Sequence, residues 1–238
     1  AVQIGQTLTG VVAANSLTTT GFSITDNLAG INFSYSTTSG ALSLIAIAST
    51  VNCGATVTGA AFGTCEVAIN NQNLYVAATG NVGTAGGSIN GMGVAVLSGN
   101  IAGRIYNQGT IVGNTSAIHF TSGATLTGGL TNSGVINGVA GVGIGMAHSI
   151  LAGGLTNMRG GTITGVATGM SLNQASISGG VNNSGLISAG SFNAINLSGS
   201  TIAGGINNSV GGIISAPVAI HAVNSNIGSG INNSGFLL

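Results

Sequence analysis

The chain has 238 residues, and only Asp26, Glu66, Arg104 and Arg159 are charged, for a net charge of zero. An ordinary soluble domain is roughly 25% charged, yet the longest apolar run, Ala41 to Val51, is interrupted by serines and falls short of the ~18 residues of a membrane-spanning helix. Two arginines cannot supply the basic footprint that binds nucleic acid.

The first residue is Ala1, so the expectation is an exported chain from which a signal peptide has been removed. Residues 1–75 carry no repeat and are expected to form an N-terminal β domain or cap used in assembly. Thr7-Leu8-Thr9, Phe22-Ser23-Ile24, Ile31 to Tyr35 and Val67-Ala68-Ile69 alternate as half-buried strands do. Cys53 and Cys65 lie in a Gly-, Thr- and Ala-rich stretch without a nearby histidine. A disulfide between them is the expectation for an exported protein, with two reduced structural thiols as the alternative. Two cysteines with no further ligands close by do not make a metal site.

Residues 76–238 repeat. Asn107, Asn132, Asn157, Asn183, Asn208 and Asn233 recur at steps of 25 or 26 residues. An aliphatic residue precedes each by two positions (Ile105, Leu130, Leu155, Val181, Ile206 and Ile231), and a second aliphatic stands four positions earlier still, as at Ile177 and Ile202. A degenerate copy, Val76 to Gly83 with Asn81, fits one residue out of step. Glycine-punctuated repeats of this length mark a solenoid, in which each turn buries its apolar side only by stacking on its neighbours. Each repeat offers three alternating segments, typified by Ile177 to Val181, Leu186-Ile187 and Ala194 to Leu197. Three strands per coil predict a triangular parallel β-helix of about seven coils, roughly 34 Å long at the parallel-strand spacing.

Alternation sets the faces: Ile195 and Leu197 point inward, Asn196, His119, Ser171 and His221 outward. Gly103, Gly128, Gly153, Gly179 and Gly204 suit tight bends or close coil contacts. Arg159-Gly160 and Val210-Gly211 are two-residue insertions that a corner loop would absorb. The recurrent asparagine is expected at a turn, where a left-handed backbone is tolerated, and stacked copies could form a structural ladder along the rod.

The residues speak against an enzyme. No acidic residue follows Glu66, whereas glycoside hydrolysis ordinarily needs paired carboxyl groups and a serine triad needs a carboxylate to orient its histidine. His119 and His221 share an outward slot four coils apart, about 19 Å at the stacking distance, which excludes a metal shared between them. The glycine-rich phrases lack the lysine and helix of a phosphate loop. No catalytic, cofactor-binding or metal-ligating residue is assigned, and no cofactor is expected.

The phrases Ile177 to Ile187 and Ala194 to Ile206 resemble the passenger repeats of bacterial autotransporters and related secreted β-helical adhesins. The resemblance covers about Val76 to Leu238 and implies a right-handed parallel β-helix on a bacterial surface, with adhesion or matrix roles; no membrane barrel accompanies these repeats. An uncharged surface lacks the net repulsion that keeps proteins apart. The final coil ends at Phe236, Leu237 and Leu238 without a charged cap. The functional expectation is therefore a structural subunit of an extracellular filament or matrix fibre, a homopolymer that grows head-to-tail through its solenoid ends. The alternative is a monomeric adhesin passenger that binds host or matrix glycans through its polar outer face.

Overall fold

The structure is a computed structural model that describes residues 73–83 and 91–238, together with the backbone of six strands ahead of them. Cys53 and the Phe22 to Ile24 segment lie outside the described residues.

From Thr56 onward the strands stack coil upon coil into four parallel ladders. One coil shows the order: Ser176–Ile177 in the first ladder, Val181–Asn183 in the second, Leu186–Ala189 in the third and Asn193–Ser198 in the fourth. Corresponding residues of successive coils are register partners throughout, as in Ile177 with Ile202, Asn183 with Asn208, Ile187 with Ile214 and Leu197 with Ala222. The chain is thus an all-β parallel β-solenoid.

The sequence reading counted three segments per coil, and the structure has four. The first segment is divided at its glycine pair. Gly129, Gly154, Gly180, Gly205 and Gly230 all adopt φ between +74° and +81°, a conformation that turns the chain and that a Cβ disfavours. The preceding glycines leave no room for a side chain either. A Cβ on Gly179 would lie 2.8 Å from Gly154 N and 2.9 Å from Gly153 C of the coil before. The bend and the close coil contact therefore use adjacent residues of one Gly-Gly phrase.

The expected seven coils become about six complete turns. The degenerate copy contributes Leu74–Val76 and Asn81–Val82 to the second and third ladders, but the first ladder holds six strands and begins at Gly99–Ile101. That copy also aligns differently from the sequence reading. Val76, not Asn81, is the partner of Asn107, and Asn81 pairs with Thr110. Ala78 and Thr79 are a two-residue insertion between them, closed by a Gly80 N to Ala77 O bond of 2.7 Å. Parallel pairing continues further back, from Thr56–Val57, Ala60–Ala61 and Cys65–Val67 to the coil that follows. Thr7–Ala13, Ile31–Thr38 and Ala41–Ala48 form a separate three-stranded antiparallel sheet in which Ala41–Ala48 is central.

The core is a stack of aliphatic rows, one or two per ladder, because successive side chains of a strand face opposite ways and parallel register superimposes like positions. Ile101, Leu126, Leu151, Ile177 and Ile202 make the row of the first ladder; Ile111, Ile136, Ile163, Ile187 and Ile214 make that of the third; all are fully buried. In the fourth, Ile195 and Leu197 are buried, Asn196, His119 and Ser171 are half-buried, and His221 is exposed. Alternation alone had assigned those directions.

Candidate functional site

Two features stand out along the solenoid: an internal row of amides and the outer edge of the last coil. The row is built at the end of each second-ladder strand, where Asn107, Asn132, Asn157, Asn183 and Asn208 point inward and are completely buried. Each Nδ2 donates to the Oδ1 of the next asparagine, at 2.8 Å from Asn107 to Asn132, 2.9 Å from Asn132 to Asn157, and 2.8 Å at each later step to Asn233. The second proton goes to a backbone carbonyl of the following coil, Val135, Thr162, Leu186, Ile213 or Phe236 in turn, at 3.0 to 3.1 Å. Buried polar groups must be paired, and stacking identical coils pairs them without any residue from outside the repeat.

The close stacking of coils accounts for the glycine in Asn183-Ser184-Gly185, where a Cβ would lie 2.2 Å from Gly161 O and 2.5 Å from Met158 O of the coil before, and the amide row crowds it further. A Cβ on Gly185 would sit 2.8 Å from the Asn157 Nδ2, and one on Gly235 would sit 2.7 Å from Asn208 Nδ2. In the two coils with insertions, Arg159 and Val210 stand two residues after the asparagine, and the glycine against the amide row is instead Gly161 or Gly212, whose Cβ would lie 2.6 Å from Asn157 Oδ1 or 2.5 Å from Asn208 Oδ1. The asparagines are not themselves left-handed, contrary to the sequence reading. Besides the glycine bend, that conformation recurs at the corner just before the first ladder, where Gly123, His148, Gln174, Gly199 and Asn224 all have φ between 47° and 80°. Five positions filled by four residue types leave no single-letter signature, so the sequence did not reveal this row.

The row ends differently at its two ends. Above Asn107 stands Val76, also fully buried, which offers no donor, and Asn107 Oδ1 is left buried without a hydrogen-bond partner. At the other end Asn233 accepts from Asn208, and its Nδ2 donates within its own coil to Gly235 O at 3.3 Å.

The last coil presents an edge of four strands, Val218–Val223, Asn226–Ile227, Ile231–Asn233 and Phe236–Leu237. The register partners of Leu237 are buried in the coils before it, whereas those of Phe236, from Val135 to Ile213, are half-buried or exposed. Leu237 extends the isoleucine row of the third ladder and is 41% exposed, with Phe236 at 57% and Leu238 at 65%.

Elsewhere the outer surface is polar and shallow. His119 leans over Gly145 of the next coil, its Nδ1 3.2 Å from where a Cβ would stand, at the rim of a recess of about 190 Å³ that Ser116, Val142, Met146 and Ser171 also line. Burial lowers the His119 pKa below its ordinary value, because desolvation disfavours the charged imidazolium. On the second ladder, Tyr75 and Tyr106 stack with ring centres 5.5 Å apart and planes 11° from parallel. Among the described residues no three His, Cys, Asp or Glu side chains gather as metal ligands would, and no helix is long and apolar enough to cross a membrane. Of the cysteine pair, Cys65 begins a fourth-ladder strand partnered by Val94.

These features define a parallel β-solenoid whose buried asparagines from Asn132 onward pair with one another along the stack. No family model matches the chain, and neither curated proteins nor solved structures give a match.

Proposed function

We propose that the protein is a structural subunit of an extracellular filament or matrix fibre that extends head-to-tail through the ends of its solenoid. The observation that carries this reading is the stacking itself: interior coils bury the same aliphatic rows and hand the same amide bond on to the next coil, so one coil's surface is the complement of its neighbour's. An open strand edge with apolar side chains is a template for another strand, and a heterologous contact that does not close a ring grows into a filament. Ahead of Asn107, Val76 and then Val57 occupy the register positions of the asparagine row, so strand edges and apolar layers, rather than the amides, would join subunits. The low charge removes the usual electrostatic barrier to such contacts. The likeness of the repeats to autotransporter passengers, together with the Cys53 and Cys65 pair, supports export to the cell surface or beyond.

A second reading, a monomeric adhesin that binds surface or matrix glycans, draws support from the outward row of Tyr75, Tyr106, Thr131, Thr156 and Asn182. It offers aromatic rings beside hydrogen-bonding groups, the combination that sugar faces and hydroxyls use.

Sedimentation velocity and negative-stain microscopy decide between them. Wild-type protein should form rods much longer than a single solenoid. Leu237→Lys, which places a charge in the exposed layer, and deletion of residues 1–10 should each shorten or abolish them. A wild-type monomer at high concentration, or long fibres from both variants, would overturn the filament reading and favour the adhesin.

A further inference from the structure

Exposed large apolar side chains are not spread evenly over the solenoid. In the last coil, Val218 to Leu238, they belong to the open edge; in the coils before it they are Val135, Ile150, Met158, Val166, Phe192 and Val210. Five of these six, all but Ile150, fall on the third ladder or on the two corners that bound it. Val135 lies on the ladder's outer face, in a row whose register continues through Thr162, Leu186, Ile213 and Phe236. Met158 and Val210 lie at the corner that leads into the ladder, Val166 and Phe192 at the corner that leads out. The neighbouring outward row is Asn137, Thr164, Ser188 and Ser215, small and uncharged.

Val210 is the clearest signal. It stands at the tip of a two-residue insertion, closed by a Gly212 N to Ser209 O bond of 2.8 Å, and is 83% exposed. Gly211 beside it has φ +83° and nothing within 4 Å of its would-be Cβ. A protruding turn ordinarily carries polar residues, and the turn needs nothing from a valine. The Arg159-Gly160 insertion makes a second protrusion at the same corner two coils earlier, and the intervening coil has no insertion. The two form knobs about 10 Å apart along the rod with a notch between them.

We infer that this face is a lateral contact surface between copies of the chain, through which filaments associate side by side. The inference rests on the filament reading above. Area and charge name the occupant. A strand of four residues and the corners beside it span about 20 Å, and six coils stack to about 29 Å. Each copy would then bury about 600 Å², and a pair about 1,200 Å², the lower limit of a specific interface. Two free chains would hold together weakly, but a filament repeats the same patch at every subunit, and linked weak contacts add. Among the described residues Arg159 is the one charged residue at this face, so a polyanion has almost nothing to grip, whereas an uncharged copy of the same surface meets no repulsion. The face also runs without interruption into Phe236 and Leu237, so lateral and end-to-end contacts would be continuous.

The test is the full chain with Phe192→Ser and Val210→Ser together. Both residues are exposed and outside the core, and an unchanged far-UV spectrum and melting midpoint would verify folding. Wild-type fibres should be several rods wide and pellet at low speed; the double variant should give single rods of similar length that pellet only at high speed. Filaments of the variant that bundle as before overturn the lateral surface and leave the filament reading intact. A wild-type chain that stays monomeric overturns both. Binding of wild type to neutral phosphatidylcholine vesicles that the variant loses, without any change in bundling, would give the face to a lipid surface and overturn the second copy as its partner.

Discussion

Replacing Asn157 with leucine tests whether the amide row stabilises the solenoid or merely decorates it. Asn157 accepts from Asn132 at 2.9 Å and donates to Asn183 Oδ1 at 2.8 Å, with Leu186 O at 3.0 Å and Gly161 O at 3.2 Å as further acceptors. In Asn157→Leu, Asn132 Nδ2 keeps Gly134 O and Thr162 O, both at 3.1 Å, but Asn183 Oδ1 loses its donor in a fully buried site. An orphaned buried acceptor costs about 1 to 3 kcal/mol and a lost carbonyl bond about 1 kcal/mol, and added apolar burial offsets about 1 kcal/mol. The expected net loss is about 2 kcal/mol. Asn107→Leu is the internal control. It deletes the one amide oxygen already orphaned and transfers that condition to Asn132, so the count of orphans does not change and the loss should stay below about 1 kcal/mol. Equilibrium urea unfolding followed by far-UV circular dichroism, compared at equal slope, reads the difference. If Asn107→Leu is as costly as Asn157→Leu, pairing of the amides is not what stabilises the row.

Two further predictions follow from geometry and charge. Gly179→Ala drives a Cβ against the backbone of the preceding coil and should lower stability by about 3 kcal/mol or more, whereas Gly211→Ala, with open space around it, should cost only the left-handed backbone penalty of about 1 to 2 kcal/mol; thermal melts of the pair distinguish the two. For His119 the folded pKa is depressed by burial, so below the ordinary value near 6.5 the unfolded chain binds the proton more readily and stability falls as pH falls. Urea midpoints should decrease from pH 7.5 to pH 5, and His119→Gln should flatten that decrease; an unaltered pH profile in the variant would refute the assignment.

The sequence announced the solenoid through Asn107 to Asn233, since in a parallel stack a constant step means a constant place in the coil, and alternation sufficed for Ile195 and Leu197 because nothing interrupts that strand. Where the structure departs, local chemistry explains it. Gly179-Gly180 reads in sequence as a weak spot within one strand, but it is the bend between two. The Ala78-Thr79 insertion shifted the apparent register and made Asn81 look like a member of the row that Val76 occupies. The parallel strands from Thr56 to Val67 are two or three residues long and carry no asparagine, so no periodic signal extends to them. The exposed apolar residues beside the third ladder could not be grouped from sequence, because Val135, Met158, Val166, Phe192 and Val210 follow no constant spacing and share a side only after stacking.

The asparagine row gives the rod a direction that its sheets do not. Strand dipoles nearly cancel in a sheet, but a side-chain amide carries about the dipole of a peptide unit, ~3.5 D, and here every amide points its N–H toward the C-terminal coil. No member can rotate alone, since a single flip would set Nδ2 against Nδ2 on one side and Oδ1 against Oδ1 on the other. Nor can the whole row reverse, because the carbonyls of Val135, Thr162, Leu186, Ile213 and Phe236 each hold one N–H in place. The solenoid thus contains a fixed electrical axis, negative at the Asn107 oxygen and positive at the Asn233 nitrogen, and rods laid side by side would favour running antiparallel.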